Sequence, residues 1–185
     1  MPLRQPAYLA FLLIILLQLP GRPSQAAEPL IDEYQIKAAL LYNLAKYVDW
    51  PPDTFAQEFS PIMICIIGKS GFTDGISGLQ NKPIKGHPVL VRQISGAGDS
   101  QGCNILAIGN QNRNLLHSVL DKTSQKGLLT VSDHDRFAQS GGVMGFYPKD
   151  NKIRFEINLA AAQKQKLKIS SQVLKLARIV QGNEQ

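Results

Sequence analysis

The spacing of apolar residues divides the chain into alternating helices and strands. From Ile31 to Val48, apolar side chains recur every three or four residues, which predicts an amphipathic helix with Asp32 as its N-cap. The prolines after Trp50 end this helix, because proline lacks the amide hydrogen that the next turn needs. Apolar runs then predict buried strands, since a strand covered on both faces needs no polar alternation. The predicted strands of this part are 61–67, 87–94, 103–108 and 128–131.

A hairpin is predicted near the C-terminal end. Residues 143–147 and 152–157 flank the turn sequence Pro148-Lys149-Asp150-Asn151, which favours two antiparallel strands. The remaining predicted helices are 72–79, 110–122 with Asn110 as its cap, 159–166, and a final one from Ser170 or Ser171 through Val180.

This alternation of strands and helices predicts an α/β fold. We expect a single three-layer domain, with a mainly parallel sheet between helices and an antiparallel hairpin near the C-terminal end. The chain shows no internal repeat, linker or low-complexity stretch that would divide it further.

The first 26 residues have the pattern of an export signal. A positive charge at Arg4 precedes an apolar core over 8–19, and Ser24 and Ala26 supply the small residues of a cleavage site. The apolar core is about 12 residues, whereas a membrane span needs roughly 20. The sequence therefore predicts a signal peptide over 1–26, cleavage before Ala27, a mature domain over 27–185 and a periplasmic location.

The export signal bears on the two cysteines of the chain, Cys65 and Cys103. An even number of cysteines in an oxidising compartment favours a disulfide, and neighbouring strands are close enough for one. Two buried free thiols, acting as small hydrophobic residues, are the alternative.

The formal net charge is +6, and basic residues crowd the C-terminal region. A nucleic-acid surface would interleave such residues with aromatic ones, and this cluster has none. The cluster predicts a solvated helix face, with an acidic partner or lipid headgroups as the alternative. Its members are Lys164, Lys166, Lys168, Lys175 and Arg178.

The polar residues predict no catalytic, metal or cofactor site. His117 has only Asp121 beside it, and two ligands do not make a metal site. Asp133 beside His134 is interpreted as a helix cap. Glu156, the acid set inside a strand, predicts an ion pair or an edge position. Because no nucleophile is paired with a base, the sequence does not predict an enzyme.

Several blocks together resemble the YfiR-like family of periplasmic proteins. The resemblance covers nearly the whole mature chain in order, and it includes the cysteine-containing strands 64–68 and 103–106. The other matching blocks are 37–51, 128–133, 141–144, 154–159 and 168–177.

The resemblance implies an α/β domain that binds the periplasmic part of a membrane diguanylate cyclase, YfiN-like, and holds it inactive. It further implies lowered cyclic di-GMP and biofilm formation, and release of the cyclase when an outer-membrane YfiB-like lipoprotein sequesters the repressor. A homodimer is left open. The family's second cysteine pair is replaced here by Met144, Phe146 and Tyr147, so only Cys65 and Cys103 carry over.

For the partner surface, the sequence favours the predicted last helix, where apolar residues lie beside basic ones. The alternative for this helix is a core-packed face with a solvated basic side. The candidate residues are Leu174, Lys175, Leu176, Arg178 and Ile179.

An alternative function is a periplasmic small-molecule receptor that acts on another membrane signalling protein. Parallel α/β sheets bind ligands at the carboxyl ends of their strands. In this chain those ends lie near Gly68, Gly109 and Ser132.

Overall fold

The structure, a computed structural model, describes residues 32–109, 113–123 and 126–182. The predicted signal peptide over 1–26 and the predicted cap Asn110 lie outside these ranges.

The strands form one large sheet and one small one. In the eight-stranded sheet the order is β10-β8-β7-β6-β5-β2-β4-β3, and in the small sheet β1 pairs with β9. Neighbours in the large sheet are parallel, except for the antiparallel pairs β7–β8 and β3–β4. The strands are β1 (Val48–Asp49), β2 (Ile62–Ile67), β3 (Pro83–Ile84), β4 (His87–Ile94), β5 (Ile105–Ile108), β6 (Leu129–Ser132), β7 (Met144–Lys149), β8 (Lys152–Asn158), β9 (Lys168–Ile169) and β10 (Arg178–Val180).

The helices of the described ranges are short, and α1 is the longest of them at 13 residues. Within the described ranges, none combines the length and the apolar character that crossing a membrane requires. The helices are α1 (Glu33–Ala45), α2 (Gly71–Ser77), α3 (Arg113–Lys122), α4 (Leu159–Lys164) and α5 (Ser171–Leu174).

Two hydrophobic cores, one on each face of the sheet, confirm the three-layer prediction. Ile64 of β2 packs in a core with Leu41 of α1. Cys65, which points the opposite way, packs in the second core with Val119 of α3. Because successive side chains of a strand alternate between faces, both faces of β2 must be apolar. This explains why the strand reads as an unbroken apolar run.

Helix α1 begins as predicted and ends earlier. The Asp32 side chain accepts a hydrogen bond from the Tyr34 amide, which is the expected cap. The helix stops at Ala45, and Val48 belongs to β1, where it pairs with Ile169 of β9. Val48 is buried in either arrangement, so its apolar character alone could not decide between them.

The predicted hairpin is β7–β8. Asp150 and Asn151, in its connection, have φ angles of 51° and 54°. This left-handed geometry matches the twist of antiparallel strands, and asparagine and aspartate tolerate it better than most residues. The hairpin does not form the edge of the sheet, because β10 lies outside β8.

The predicted final helix through Val180 is wrong beyond its first turn. The Ser170 side chain caps α5 by accepting from the Gln172 amide, but α5 ends at Leu174. Residues 178–180 form β10 instead, parallel to β8. The β-branched pair Ile179-Val180 suits a strand, and pairing with β8 supplies backbone hydrogen bonds that a separate helix would not share with the sheet.

Candidate functional site

The partner residues expected in the sequence do not share one helix face: Arg178 and Ile179 lie on the edge strand β10, and Lys175 and Leu176 lie in the turn before it. Leu174 is half-buried against the larger core, so it belongs to the packing of α5. Leu176 and Ile179 are exposed by 74 % and 45 %. Lys175 and Arg178 are exposed as well. We call Tyr147, Lys175, Leu176, Arg178 and Ile179 the edge surface.

Arg178 is fixed by contacts on two neighbouring strands. Its Nε donates to Glu156 Oε2 at 3.1 Å, and Nη2 donates to the same oxygen. Its guanidinium carbon lies 4.1 Å from the centre of the Tyr147 ring, a cation–π distance. The hydrogen bonds to Glu156 raise the pKa of Arg178 above its usual value. A charged side chain is therefore held in one place at the edge of the sheet.

Gly145 makes room for the acid of this pair. Gly145 is opposite Glu156 in the β7–β8 register, and a Cβ at Gly145 would lie 3.0 Å from Glu156 Oε1. The Glu156 side chain is only 3 % exposed, so its charge depends on Arg178. Sequence reasoning expected an ion pair for Glu156 but missed this partner, because the two residues come together only when β10 adds to β8.

The chain from 147 to 182 is strongly basic, while Arg178 also interacts electrostatically with an acid outside this segment, Asp135. Between residues 147 and 182 the chain has eight lysines and arginines and two acids, of which Glu156 is buried and paired. All eight basic residues are exposed. The predicted basic cluster is therefore on the surface, although strands and turns carry much of it instead of one helix.

A groove of about 760 Å³ begins where β10 ends. Asn158, at the end of β8, lies in its wall, where its amide donates to the Ala138 carbonyl at 2.8 Å and accepts from the Ala161 amide at 3.0 Å. Lys164 brings a positive charge to the same groove. Sequence reasoning missed this groove, because its walls come from segments far apart in the chain.

The carboxyl ends of β2, β5 and β6 are closely packed. A Cβ on Gly109 would lie 3.1 Å from the Lys69 carbonyl carbon, so the loops after β2 and β5 touch through their backbones. Ser132 Oγ donates to the Ile108 carbonyl at 2.7 Å and accepts from the His134 amide at 3.1 Å. The polar groups expected to receive a ligand here are engaged within the chain.

Lys37 of α1 forms ion pairs with the buried side chain of Asp133, which follows β6, and with Glu33, which is half exposed. Its Nζ lies 2.9 Å from Asp133 Oδ2 and 2.7 Å from Glu33 Oε1. Burial lowers the pKa of Lys37, but the hydrogen bonds and charges of Glu33 and Asp133 outweigh it, so the pKa is raised. Asp133 therefore serves as an ion-pair partner and not as the helix cap that we expected.

The three histidines lie at two separate places. His117 and His134 line one surface cleft of about 300 Å³ together with Arg136. His87 stacks on Phe55 with ring centres 4.2 Å apart. In the part of the chain that the structure describes, no three His, Cys, Asp or Glu residues form a group that could hold a metal ion.

Cys65 and Cys103 form a disulfide with their Cα atoms 5.8 Å apart. Arg92 of β4 lies over this bond: its Nη2 is 3.6 Å from the sulfur of Cys65 and 3.5 Å from that of Cys103. The same nitrogen donates to the carbonyls of Asp99 and Gln101 at 3.2 Å each. Arg92 and the disulfide thus tie the loop before β5 to the centre of the sheet.

The edge surface combines fixed charges with exposed apolar side chains on an α/β domain that a disulfide cross-links. Such a surface suits binding to a partner. The sequence model of the YfiR/HmsC-like family matches residues 34–178, from the first turn of α1 to the first residue of β10. This match includes both cysteines and the Gly145–Glu156 pair, and it confirms the resemblance carried by the sequence blocks. The chain belongs to the YfiR/HmsC-like family.

Proposed function

We propose that this protein is an exported periplasmic regulator that binds and represses an inner-membrane diguanylate cyclase, and so lowers cyclic di-GMP and biofilm formation. The observation that carries the proposal is the family match over residues 34–178. Membership in this family indicates a periplasmic, regulatory role connected with diguanylate cyclase signalling.

The proposal includes the domain division expected from the sequence. Residues 1–26 act as a signal peptide that is removed, and 27–185 form the working domain. A protein held in the periplasm reaches a cytoplasmic second messenger only through a partner that spans the membrane. The partner proposed here is a YfiN-like cyclase, whose periplasmic part is the segment in reach.

The edge surface is the contact that we propose for this partner. Leu176 and Ile179 offer apolar side chains at an exposed site, and Lys175 and Arg178 add charge around them. Interfaces commonly combine an apolar centre with a polar rim. An outer-membrane YfiB-like lipoprotein would release the cyclase by competing for the repressor, and a homodimer is compatible with either state.

The proposal is tested in the native host by measuring cyclic di-GMP. Deleting the gene is expected to raise cyclic di-GMP and surface attachment several-fold, and restoring the wild-type gene is expected to reverse both. A deletion that leaves cyclic di-GMP unchanged would overturn the proposal.

Point variants then test the surface. Leu176→Asp and Ile179→Asp place a charge on exposed positions, so they are expected to fold and reach the periplasm but to lose repression. Phe59→Asp is the matched control, since Phe59 is 71 % exposed. Phe59 precedes Ser60, whose carbonyl contacts His87 of β4, and five strands of the sheet lie between β4 and β10. Loss of repression in the Phe59 variant alone would move the contact to that side of the molecule.

A second candidate function is a small-molecule receptor, which the groove beside β10 favours. Its volume of about 760 Å³ falls in the range of ligand sites, and Lys164 would suit an anionic group. Ligand binding to the folded state raises the unfolding temperature. A thermal-shift screen of periplasmic metabolites would therefore detect it, and a shift lost in Lys164→Ala would assign the groove.

A further inference from the structure

We propose that β10 accepts an extended acidic segment of the partner as an added strand of the sheet. This inference rests on the proposed function, since it names the chemistry of the segment that the edge surface receives. It goes further by specifying main-chain pairing, an alternating side-chain pattern and the sign of the charge.

The first observation is that β10 is a terminal strand of the sheet. Among the described residues it pairs with β8 on one side only. In a parallel pair, alternate residues direct their amide and carbonyl groups away from the neighbouring strand. Such outward groups at an edge are a template for another strand, which is the basis of peptide binding by strand addition.

The second observation is that this edge is only partly protected. Natural edge strands are commonly guarded by charged side chains, prolines or bulges. β10 is only three residues long and begins with charged Arg178, which are two forms of protection, yet Ile179 on the strand and Leu176 in the turn before it are both exposed. An edge that presents apolar side chains to water gains free energy when a partner strand covers them.

The third observation is the division of side chains between the two faces. Ile179 is in register with Ile157, which belongs to the larger core, so both are on the same side of the sheet. Arg178 is on the opposite side, against Tyr147. Because strand side chains alternate, an added strand would place apolar residues beside Ile179 and acidic residues beside Arg178.

The charge of the surroundings decides between a partner segment and a second copy of this chain. The surface from 147 to 182 carries eight exposed basic residues. Pairing β10 with β10 of another copy would bring the basic residues next to this strand, such as Lys175 and Arg154, close to those of the other copy, which costs free energy. Glu156 already neutralises Arg178, so the attraction for an acidic strand comes mainly from neighbours such as Lys175 and Arg154.

The probe for the test is a blocked ten-residue peptide of alternating glutamate and valine, added to the full exported protein. Amide hydrogen exchange, measured by NMR, is expected to slow at least tenfold for one or more of the amides of 178–180. Two control peptides are an alternating lysine–valine peptide and the glutamate–valine peptide methylated at every backbone amide. Both are expected to leave this exchange unchanged, because one has the wrong charge and the other has no donors.

Variants assign the binding to the edge. Ile179→Lys is expected to weaken binding of the glutamate–valine peptide at least tenfold, since it removes the apolar contact, whereas Phe59→Lys is expected to leave binding unchanged. Strand addition is overturned when 1 mM peptide does not slow exchange in β10, or when the fully methylated peptide binds as tightly as the parent.

The outcome separates this inference from the proposed function. If the Leu176 and Ile179 variants lose repression in cells while the peptide gives no protection, the surface is correct and strand addition is wrong. If the peptide slows exchange in β10 while deletion leaves cyclic di-GMP unchanged, the edge binds acidic strands and the proposed function is wrong.

Discussion

At the scale of single residues, Glu156 and Arg178 tie the last strand to the sheet. Glu156 is buried, and half of the Arg178 side chain is exposed. Removing the cation leaves a carboxylate in the interior without its partner, which is the costly way to break such a pair. Arg178→Met is therefore expected to lower the free energy of unfolding by about 2 kcal/mol, less than for a fully buried pair because water screens the exposed half.

Urea unfolding measures this cost, and the double variant Glu156→Gln with Arg178→Met is the control. Since the double variant buries no charge, we expect it to be more stable than Arg178→Met alone. Equal stability of Arg178→Met and the wild type would mean that the pair does not hold β10 in place.

The ion pairs of Lys37 predict a pH dependence of stability. Its pKa is raised in the folded protein from an ordinary value of 10.5. A group whose pKa is raised by folding stabilises the protein fully below its unfolded pKa and loses this effect as the pH rises through the folded pKa. The stability advantage of the wild type over Lys37→Met is therefore expected to be constant up to about pH 10 and to shrink above pH 10.5.

This measurement compares urea unfolding of the two proteins between pH 8 and pH 11. The difference between them isolates Lys37, because the other lysines and tyrosines titrate in both. A difference that grows above pH 10.5 would contradict the ion pairs with Glu33 and Asp133. Adding Asp133→Asn to Lys37→Met is expected to recover part of the lost stability at neutral pH, since no unpaired carboxylate then remains buried.

At the scale of elements, the disulfide joins β2 to the loop before β5. Its cysteines are 38 residues apart in sequence. Closing a loop of this length restricts the unfolded chain, which stabilises the fold by about 4 kcal/mol in the chain-entropy account. We expect the paired variant Cys65→Ala with Cys103→Ala to lose stability of this order in urea unfolding. A loss below about 1 kcal/mol would show that Arg92 and strand packing hold the loop without the bond.

Elements whose structure follows from the local sequence were predicted well. The predicted strands 61–67 and 87–94 agree with the structure to within a residue. β2 is buried almost throughout, whereas in β4 only Val89 and Ile94 are buried. The hairpin turn was equally evident, because Asp150 and Asn151 suit its left-handed backbone. In each case the sequence nearby contains the physical cause of the structure.

Elements stabilised by distant partners were not predicted. Residues 173–180 have apolar spacing that suits a helix, yet β10 forms because β8 offers an edge with which to pair. The same holds for the site: Leu176, Arg178 and Ile179 were named from the sequence, but the Glu156 and Tyr147 contacts required the sheet order. A periodicity of side chains contains no information about which strand is free to pair.

At the scale of the whole molecule, the order of the strands separates the two ends of the sheet. The edge surface and its basic surroundings belong to β7, β8 and β10, whereas Phe59 and His87 lie on the side of β4. A repressor of a membrane protein needs one side that binds and a body that keeps its shape. The disulfide and the two cores supply this body, and the edge surface is the side that we propose for the partner.

Export and the disulfide make a final prediction together. If residues 1–26 direct export and are removed, the protein isolated from the periplasm begins at Ala27 and contains no free thiol. The same chain made without residues 2–26 stays in the reducing cytoplasm, where disulfides do not persist. We therefore expect it to contain two free thiols and to unfold at a lower urea concentration. Mass spectrometry after thiol labelling measures both states, and a periplasmic protein that begins at Met1 or retains two thiols would contradict this account. Oxidising the purified cytoplasmic form should restore the stability of the exported one, because β2 and the start of β5 already lie side by side in the sheet.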